Sequence, residues 1–375
     1  MIYFDNSATT QIDPRVLDAM LPYLYAEFGN PSSKYYSLAM TAKEAVEVAR
    51  AQVAKLFGCE SDEIIFTSGA TESNNLILKG VLESYGMDNP SLVISKAEHS
   101  SILEVASYLE QRGVTVFYID VNSYGHVDES AFVTALAIKP TLVSMQWGNN
   151  ETGSTNDICR MARLCAERGI FFHTDATQVV GKLKTNHIDR TVRFLSLSAH
   201  KLHGPKGIGA AIIRKDELGI KTKLTPLIHG GGQEFNYRSG TLSVHNIVGF
   251  GKAAEIALTE QQETYRVLDE LESYLRQRLA DRFPDIVIFN GGESNKIPGI
   301  LNLQFKGVNN ELLIKKLADR FALSTGSACS SSKPSHVLQS MGLSLSEVRQ
   351  SVRISLSKTN TKEEIDKFCR ALSGG

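Results

Sequence analysis

Residues 170–214 read IFFHTDATQVVGKLKTNHIDRTVRFLSLSAHKLHGPKGIGAAIIR. Three apolar runs, IFFHTD (170–175), RFLSLS (193–198) and GAAIIR (209–214), carry the aromatic and branched residues that suit buried strands. Polar groups gather where the first two runs stop: Asp175 and Gln178 after the first, Ser198, His200 and Lys201 after the second. A lysine that only solvates a surface does not need a strand to place it, a histidine before it and a glycine-rich turn after it.

The same pattern extends upstream. EIIF (63–66), SLVIS (91–95), VTVFYI (114–119) and TLVSMQ (141–146) are further strand-like runs, and helix-length segments separate several of them. Ala42, Ala45, Ala49, Val53 and Leu56 follow helical spacing, and Gly58 suits the helix end. Strands alternating with helices predict an α/β fold with a mostly parallel sheet between layers of helices. Downstream, residues 256–283 predict one long helix with Leu268, Leu271, Leu275 and Leu279 on one side and Pro284 beyond its end. The chain then changes to a smaller α+β pattern. Its strand candidates are IVIF (286–289), ILNLQF (300–305), ALST (322–325) and VRISLS (352–357), and Ser344/Glu347 and Thr361/Glu364 form capping boxes. The expected organisation is a large domain over 13–255 and a small C-terminal domain over 256–375, with residues 1–12 free to pack on either.

Composition narrows the function classes. Forty Lys and Arg nearly cancel 41 Asp and Glu among 375 residues, so there is no general attraction to nucleic acid or an acidic membrane surface. No apolar run is long enough to span a bilayer. MIYFDNSATT lacks the basic start and apolar stretch of a signal peptide, which makes cytoplasm the expected compartment. The five cysteines (Cys59, Cys159, Cys165, Cys329 and Cys369) form no CxxC pair, and their odd number and wide spread suit neither a disulfide framework nor a zinc site.

Open α/β sheets bind ligands beyond the carboxyl ends of their strands. After EIIF comes TSGATESNN, where Ala70 and Thr71 fall at a helix start. That is a place for a phosphate on free backbone N–H groups, or simply for Ser68 or Thr71 to cap the helix. After SLVIS comes His99, and after TLVSMQ come Asn149, Asn150 and Glu151 in a turn. Each signal alone has an ordinary structural explanation. Together they set a phosphate cradle, a histidine, an acid and a lysine along one sheet edge. GxGxxG is absent after the first strands, and GxxxxGK[ST] is absent too, which argues against a dinucleotide and a nucleoside triphosphate. Pyridoxal phosphate suits the set. Its aldehyde takes a lysine, its phosphate takes N–H donors, and its ring nitrogen takes an acid.

The strings FTSGATESNN, AEHSS, NNETG, HTDATQ, SAHKLHGPKG, HGGGQE, RSGT and STGSACSS occur in that order and span nearly the whole chain. In them the sequence resembles the cysteine desulfurases, in the NifS/IscS-like branch of the fold-type I, class V aminotransferase group. The resemblance implies the following roles. Lys201 bonds the cofactor, Asp175 pairs with its ring nitrogen, and Gln178 and Asn150 approach its phenolic oxygen. His99 stacks on the ring and moves protons. Ala70, Thr71, Ser198 and His200 hold the phosphate. Thr241, in RSGT, reaches the phosphate of a partner subunit, which implies a homodimer.

Cys329 lies among small polar residues. By residue type alone it is an ordinary free cysteine; by the resemblance it is the nucleophile that takes sulfur from L-cysteine as a persulfide and releases alanine. Arg353, in VRISLS, would grip the substrate carboxylate, with Asn30, in GNPSS, beside it. The implied partners are L-cysteine and a sulfur-acceptor protein serving iron–sulfur clusters or thio-cofactors. Two features depart from the family pattern. SSSK between Cys329 and PSHV is shorter than in long-loop members, which implies less reach toward a large scaffold protein. Ser7 stands where alanine is common, with little expected effect. The alternatives are a selenocysteine lyase or another class V enzyme, and, from a different class, a non-catalytic sulfur carrier.

Overall fold

The structure is a computed structural model that describes residues 1–86, 89–326 and 334–373. Among the described residues, β1 (Ile2–Tyr3) lies in the N-terminal segment. The main sheet is built from β2 (Ile64–Thr67), β3 (Ser91–Ser95), β4 (Thr115–Ile119), β5 (Leu142–Ser144), β6 (Phe171–Asp175), β7 (Phe194–Ser198) and β8 (Gly209–Ile213). Their order is β2-β8-β7-β6-β5-β3-β4. Pairs from β7 through β4 are parallel, whereas β8 runs antiparallel to both β7 and β2. The short link through Gly204–Ile208 explains the reversal, because a parallel crossover needs a dozen or more residues. The sheet is therefore mixed and mostly parallel, as the alternating pattern predicts.

Period-two alternation covers the sheet on both faces. Ile64, Phe66, Val93, Val143, Phe172 and Leu195 face one core together with residues of α1 (Ser37–Phe57). Ile65, Leu92, Ile94, Leu142 and Phe194 face the other, under α2 (Ala70–Tyr85) and α3 (Ser100–Glu110). Gly58 ends α1 at φ 59°, the left-handed closure expected of it.

α4 (Val244–Arg282) starts well before the predicted residue 256. Gly249 and Gly251 obscure its first turns in the sequence, since glycine disfavours helix interiors. Packing supplies the reason for Gly251: a Cβ there would stand 2.5 Å from Ala49 Cα of α1. Ile247, Phe250 and Ala254 of α4 belong to the first core, while Leu268, Leu271, Leu275 and Leu279 enter a third.

That third core lies beneath β9 (Val287–Asn290), β10 (Ile300–Phe305) and β12 (Ser351–Ser355), an antiparallel sheet in the order β12-β10-β9. α5 (Lys362–Leu372) packs there through Ile365, Phe368 and Cys369. Both predicted capping boxes are formed. The run ALST is not a strand along its length. β11 covers only Phe321–Ala322, and Ser324 makes a single bridge to Arg353.

The N-terminal segment touches both units. β1 pairs with β11, Asp5 bridges Ser355, and the Ser7 amide donates to Ser355 Oγ at 2.8 Å. Three residues on, the Thr10 amide donates to the His200 carbonyl at 2.9 Å. No helix among the described residues is long and apolar enough to cross a membrane.

Candidate active site

A cavity of about 590 Å³ opens where β6 and β7 end and where α2 and α3 begin. Ala70, Thr71, His99, Asn150, Asp175, Gln178, Ser198, His200, Lys201 and Arg353 all line it. These ten positions were expected from sequence to act together. Asn30 and Thr241 are exposed and do not line it. The Asn30 side chain accepts from the Ser32 amide at 2.9 Å within its own turn. Cys329 lies outside the described residues.

Lys201 ends a short turn, Ala199–Lys201, directly after β7. Its Nζ donates to the carbonyls of Ser7 and, at 2.8 Å, Ala8. Burial, then the positive charges of Lys182 and Arg353, bring its pKa down to about 7 from the ordinary 10.5. Asp175 and Asp5 act in the opposite sense.

Asp175 closes β6 and is almost wholly buried. Oδ1 accepts from the Thr177 amide, and Oδ2 from Asn74 Nδ2, each at 2.9 Å. Asn74 is itself fully buried on the inner face of α2 and also reaches Ser101 Oγ at 2.8 Å. These uncharged donors fix the orientation of the carboxyl group.

His99 is the N-cap of α3, and its Nδ1 accepts from the Ser101 amide at 3.1 Å. In the neutral ring the proton therefore sits on Nε2. Burial lowers its pKa against the pull of Asp175, so the neutral form is favoured. Gln178 Nε2 donates to the Ser7 carbonyl at 3.0 Å and leaves Oε1 buried without a partner.

The start of α2 is open. Gly69 is its N-cap and brings no side-chain cap of its own, so neither Ser68 nor Thr71 plays that part. Ser198 Oγ accepts from the Ala70 amide at 2.7 Å and joins β7 to this turn. The His200 ring contacts Thr9 Oγ1 at 3.1 Å; burial, Lys201 and Lys206 push its pKa down to about 4. This corner is a backbone cradle at the positive end of a 16-residue helix.

On the opposite wall, Arg353 projects from the middle of β12 and is about 1% exposed. Nη1 donates to the carbonyls of Asn150 (3.2 Å) and Gly326 (3.1 Å), and Nη2 pairs with Asp5 Oδ1 at 2.7 Å. Nε is buried without a partner.

The family model for aminotransferase class-V matches residues 2–368. The chain belongs to the class-V aminotransferase family. It is 42% identical over 367 residues to a protein named cysteine desulfurase IscS from Rickettsia typhi, covering 97% of this chain and 88% of that one. A solved NifS-like protein superposes with a TM-score of 0.92 at 35% identity, covering 100% of this chain and 98% of the other. A structure described as SspA in complex with cysteine gives a TM-score of 0.81 at 34% identity, over 96% and 100% of the two chains.

Sequence reasoning assigned no role to Asn74, Glu151 or His336, although Glu151 and His336 line the cavity and Asn74 holds Asp175. Asn74 and Glu151 sit inside the quoted strings. Their types, an asparagine in a helix and a glutamate in a turn, read as solvated, and only their burial distinguishes them.

Proposed function

We propose that the protein is a pyridoxal-phosphate-dependent cysteine desulfurase, and the observation that carries this reading is the single cavity shared by Lys201, Asp175, His99 and Arg353. Its residues fit the cofactor. The helix cradle at Ala70 and Thr71, with Ser198 and His200, would take the phosphate. Lys201 would bond the aldehyde carbon, and Asp175 would meet the ring nitrogen. Gln178, whose buried Oε1 is an unpaired acceptor for a phenolic O–H, and Asn150 would face the phenolic oxygen, and His99 would cover the ring. When bound, the cofactor supplies an electron sink beside the substrate α-carbon.

The chain's own groups do the rest. Burial brings the pKa of the Lys201 amine down to about 7, which suits it to accept and return a proton. Arg353, fixed by two carbonyls and Asp5, offers its remaining donors to the substrate carboxylate. His99 presents Nε2–H, a proton source near the substrate. In the net reaction the carbon–sulfur bond of L-cysteine breaks and a sulfur–sulfur bond forms at Cys329. The carbon takes up a proton to become the methyl group of alanine, so no outside oxidant is needed.

Large apolar side chains are exposed between residues 17 and 40, among them Leu24, Tyr25, Phe28, Tyr35 and Met40. Such a concentration favours an interface, and we assign it to a homodimer, in which Thr241 would meet the partner's phosphate site. A sulfur-acceptor protein and a cytoplasmic setting complete the proposal. Incubation with L-cysteine and a thiol reductant should yield sulfide and alanine together. Protein that holds the cofactor yet makes neither is not a desulfurase.

A further inference from the structure

Glu151 is a buried carboxylate on the cavity wall with no part in the chemistry above. Asn149 Oδ1 accepts from the amides of Glu151 and Thr152 at 2.8 and 3.1 Å, which fixes the turn that carries it. Its carboxyl meets two segments far apart in sequence. Ser335 Oγ donates to Glu151 Oε2 at 2.6 Å. Gly326 packs so closely that a Cβ there would stand 2.4 Å from the same oxygen, and its φ of 105° also excludes other residues.

Gly326 and Ser335 flank residues 327–333, which include Cys329. Each flank is tied down a second time. The Gly326 carbonyl accepts from Arg353 Nη1 at 3.1 Å. His336 Nε2 lies 2.8 Å from the Glu98 carbonyl, and Ser335 caps the helix His336–Ser340. The one carboxyl group is therefore bonded to one flank of the cysteine segment, at Ser335, and packed against the other, at Gly326, next to the arginine assigned to the substrate.

We propose that Glu151 is a positioning residue for sulfur transfer: bonded to Ser335 and packed against Gly326, it sets the positions of the described residues on either side of 327–333, the stretch of sequence that contains Cys329. This rests on the desulfurase reading. Burial raises the pKa of Glu151, while Ser335, Arg353 and His336 favour its charged form.

The test compares holoenzyme forms of the wild type, Glu151→Ala, Glu151→Gln, Ser335→Ala and, as a control for cap loss, Ser344→Ala. Two quantities are read: L-cysteine affinity from the change in cofactor absorbance, and single-turnover alanine formation at saturating L-cysteine. In Glu151→Ala and Ser335→Ala the affinity should stay within about twofold, while turnover falls about tenfold or more. A variant that combines Glu151→Ala with Ser335→Ala should be no slower than the slower single, because both remove one contact. Glu151→Gln, which keeps an acceptor for Ser335, should recover part of the rate, and Ser344→Ala should match wild type. Unchanged single-turnover rates in both Glu151→Ala and Ser335→Ala overturn the proposal. So does weakened affinity with an unchanged saturating rate, which would make Glu151 a substrate-binding group. If Glu151→Ala does not fold, Ser335→Ala decides alone. A wild type that forms no alanine refutes the desulfurase reading itself, and this proposal with it.

Discussion

Arg353 Nη2 lies 2.7 Å from Asp5 Oδ1, so a side chain of the small sheet is held by the N-terminal segment. With Nη1 committed to two carbonyls, the guanidinium plane is fixed. Asp5→Ala should loosen that plane. The Michaelis constant for L-cysteine should rise about tenfold, roughly the worth of one charge-assisted hydrogen bond, with a smaller change in kcat. Arg353→Lys, which has no planar fork, should raise it at least as far. Steady-state kinetics check both, and an unchanged Michaelis constant in Arg353→Lys would remove the arginine from substrate binding.

Lys182 and Lys201 line one small cavity behind the site. Lys182 Nζ donates to the Gln178 carbonyl at 3.0 Å, and burial brings its pKa down to about 8. Both lysines titrate below their ordinary 10.5 when folded. Unfolding therefore takes up protons between about pH 7 and pH 10.5, and stability of the cofactor-free protein should rise with pH across that window. Lys182→Met should flatten the rise above pH 8 and raise the pKa of Lys201 by removing a neighbouring positive charge. Urea midpoints at several pH values would read the first effect; equal slopes in both proteins would contradict it.

Lys201→Ala should abolish the visible absorbance of the lysine-bound cofactor. Cys329→Ala should keep that absorbance and lose transfer of sulfur from L-cysteine by a hundredfold or so, about 3 kcal/mol of barrier. A spectrum and an alanine assay on each variant separate the two roles. Full sulfur transfer in Cys329→Ala would eliminate that thiol as the acceptor.

Gly251→Ala tests the helix contact. Alanine improves helix propensity by up to ~1 kcal/mol. Its Cβ, however, would overlap the α1 backbone at 2.5 Å from Ala49 Cα, an overpacking that costs ~1–3 kcal/mol. The overlap should win, and the denaturation midpoint should fall with the slope unchanged. A higher midpoint would mean that α1 and α4 separate freely.

The sheet and the lysine were legible because strand periodicity breaks at one point in each run, and the polar residue at that break belongs at the sheet edge. Asp175, His99 and Lys201 all follow this rule. Arg353 does not: it lies in mid-strand, where an arginine alone reads as solvent-facing, and only the family resemblance singled it out. Asn74 and Glu151 were illegible as functional groups because nothing local distinguishes a buried polar side chain from a solvated one. The early start of α4 was hidden by glycines whose purpose lies in a distant helix. Asn30 and Thr241 lie away from the cavity of the single chain.

The Ser7 amide meets Ser355 Oγ across 348 positions of sequence, while the carbonyls of Ser7 and Ala8 hold the amine of Lys201. During synthesis the first of these residues emerges long before the last. The lysine's final setting must therefore await the emergence of β12, and competence to retain a cofactor should arrive late on the ribosome, after the main sheet has had time to form.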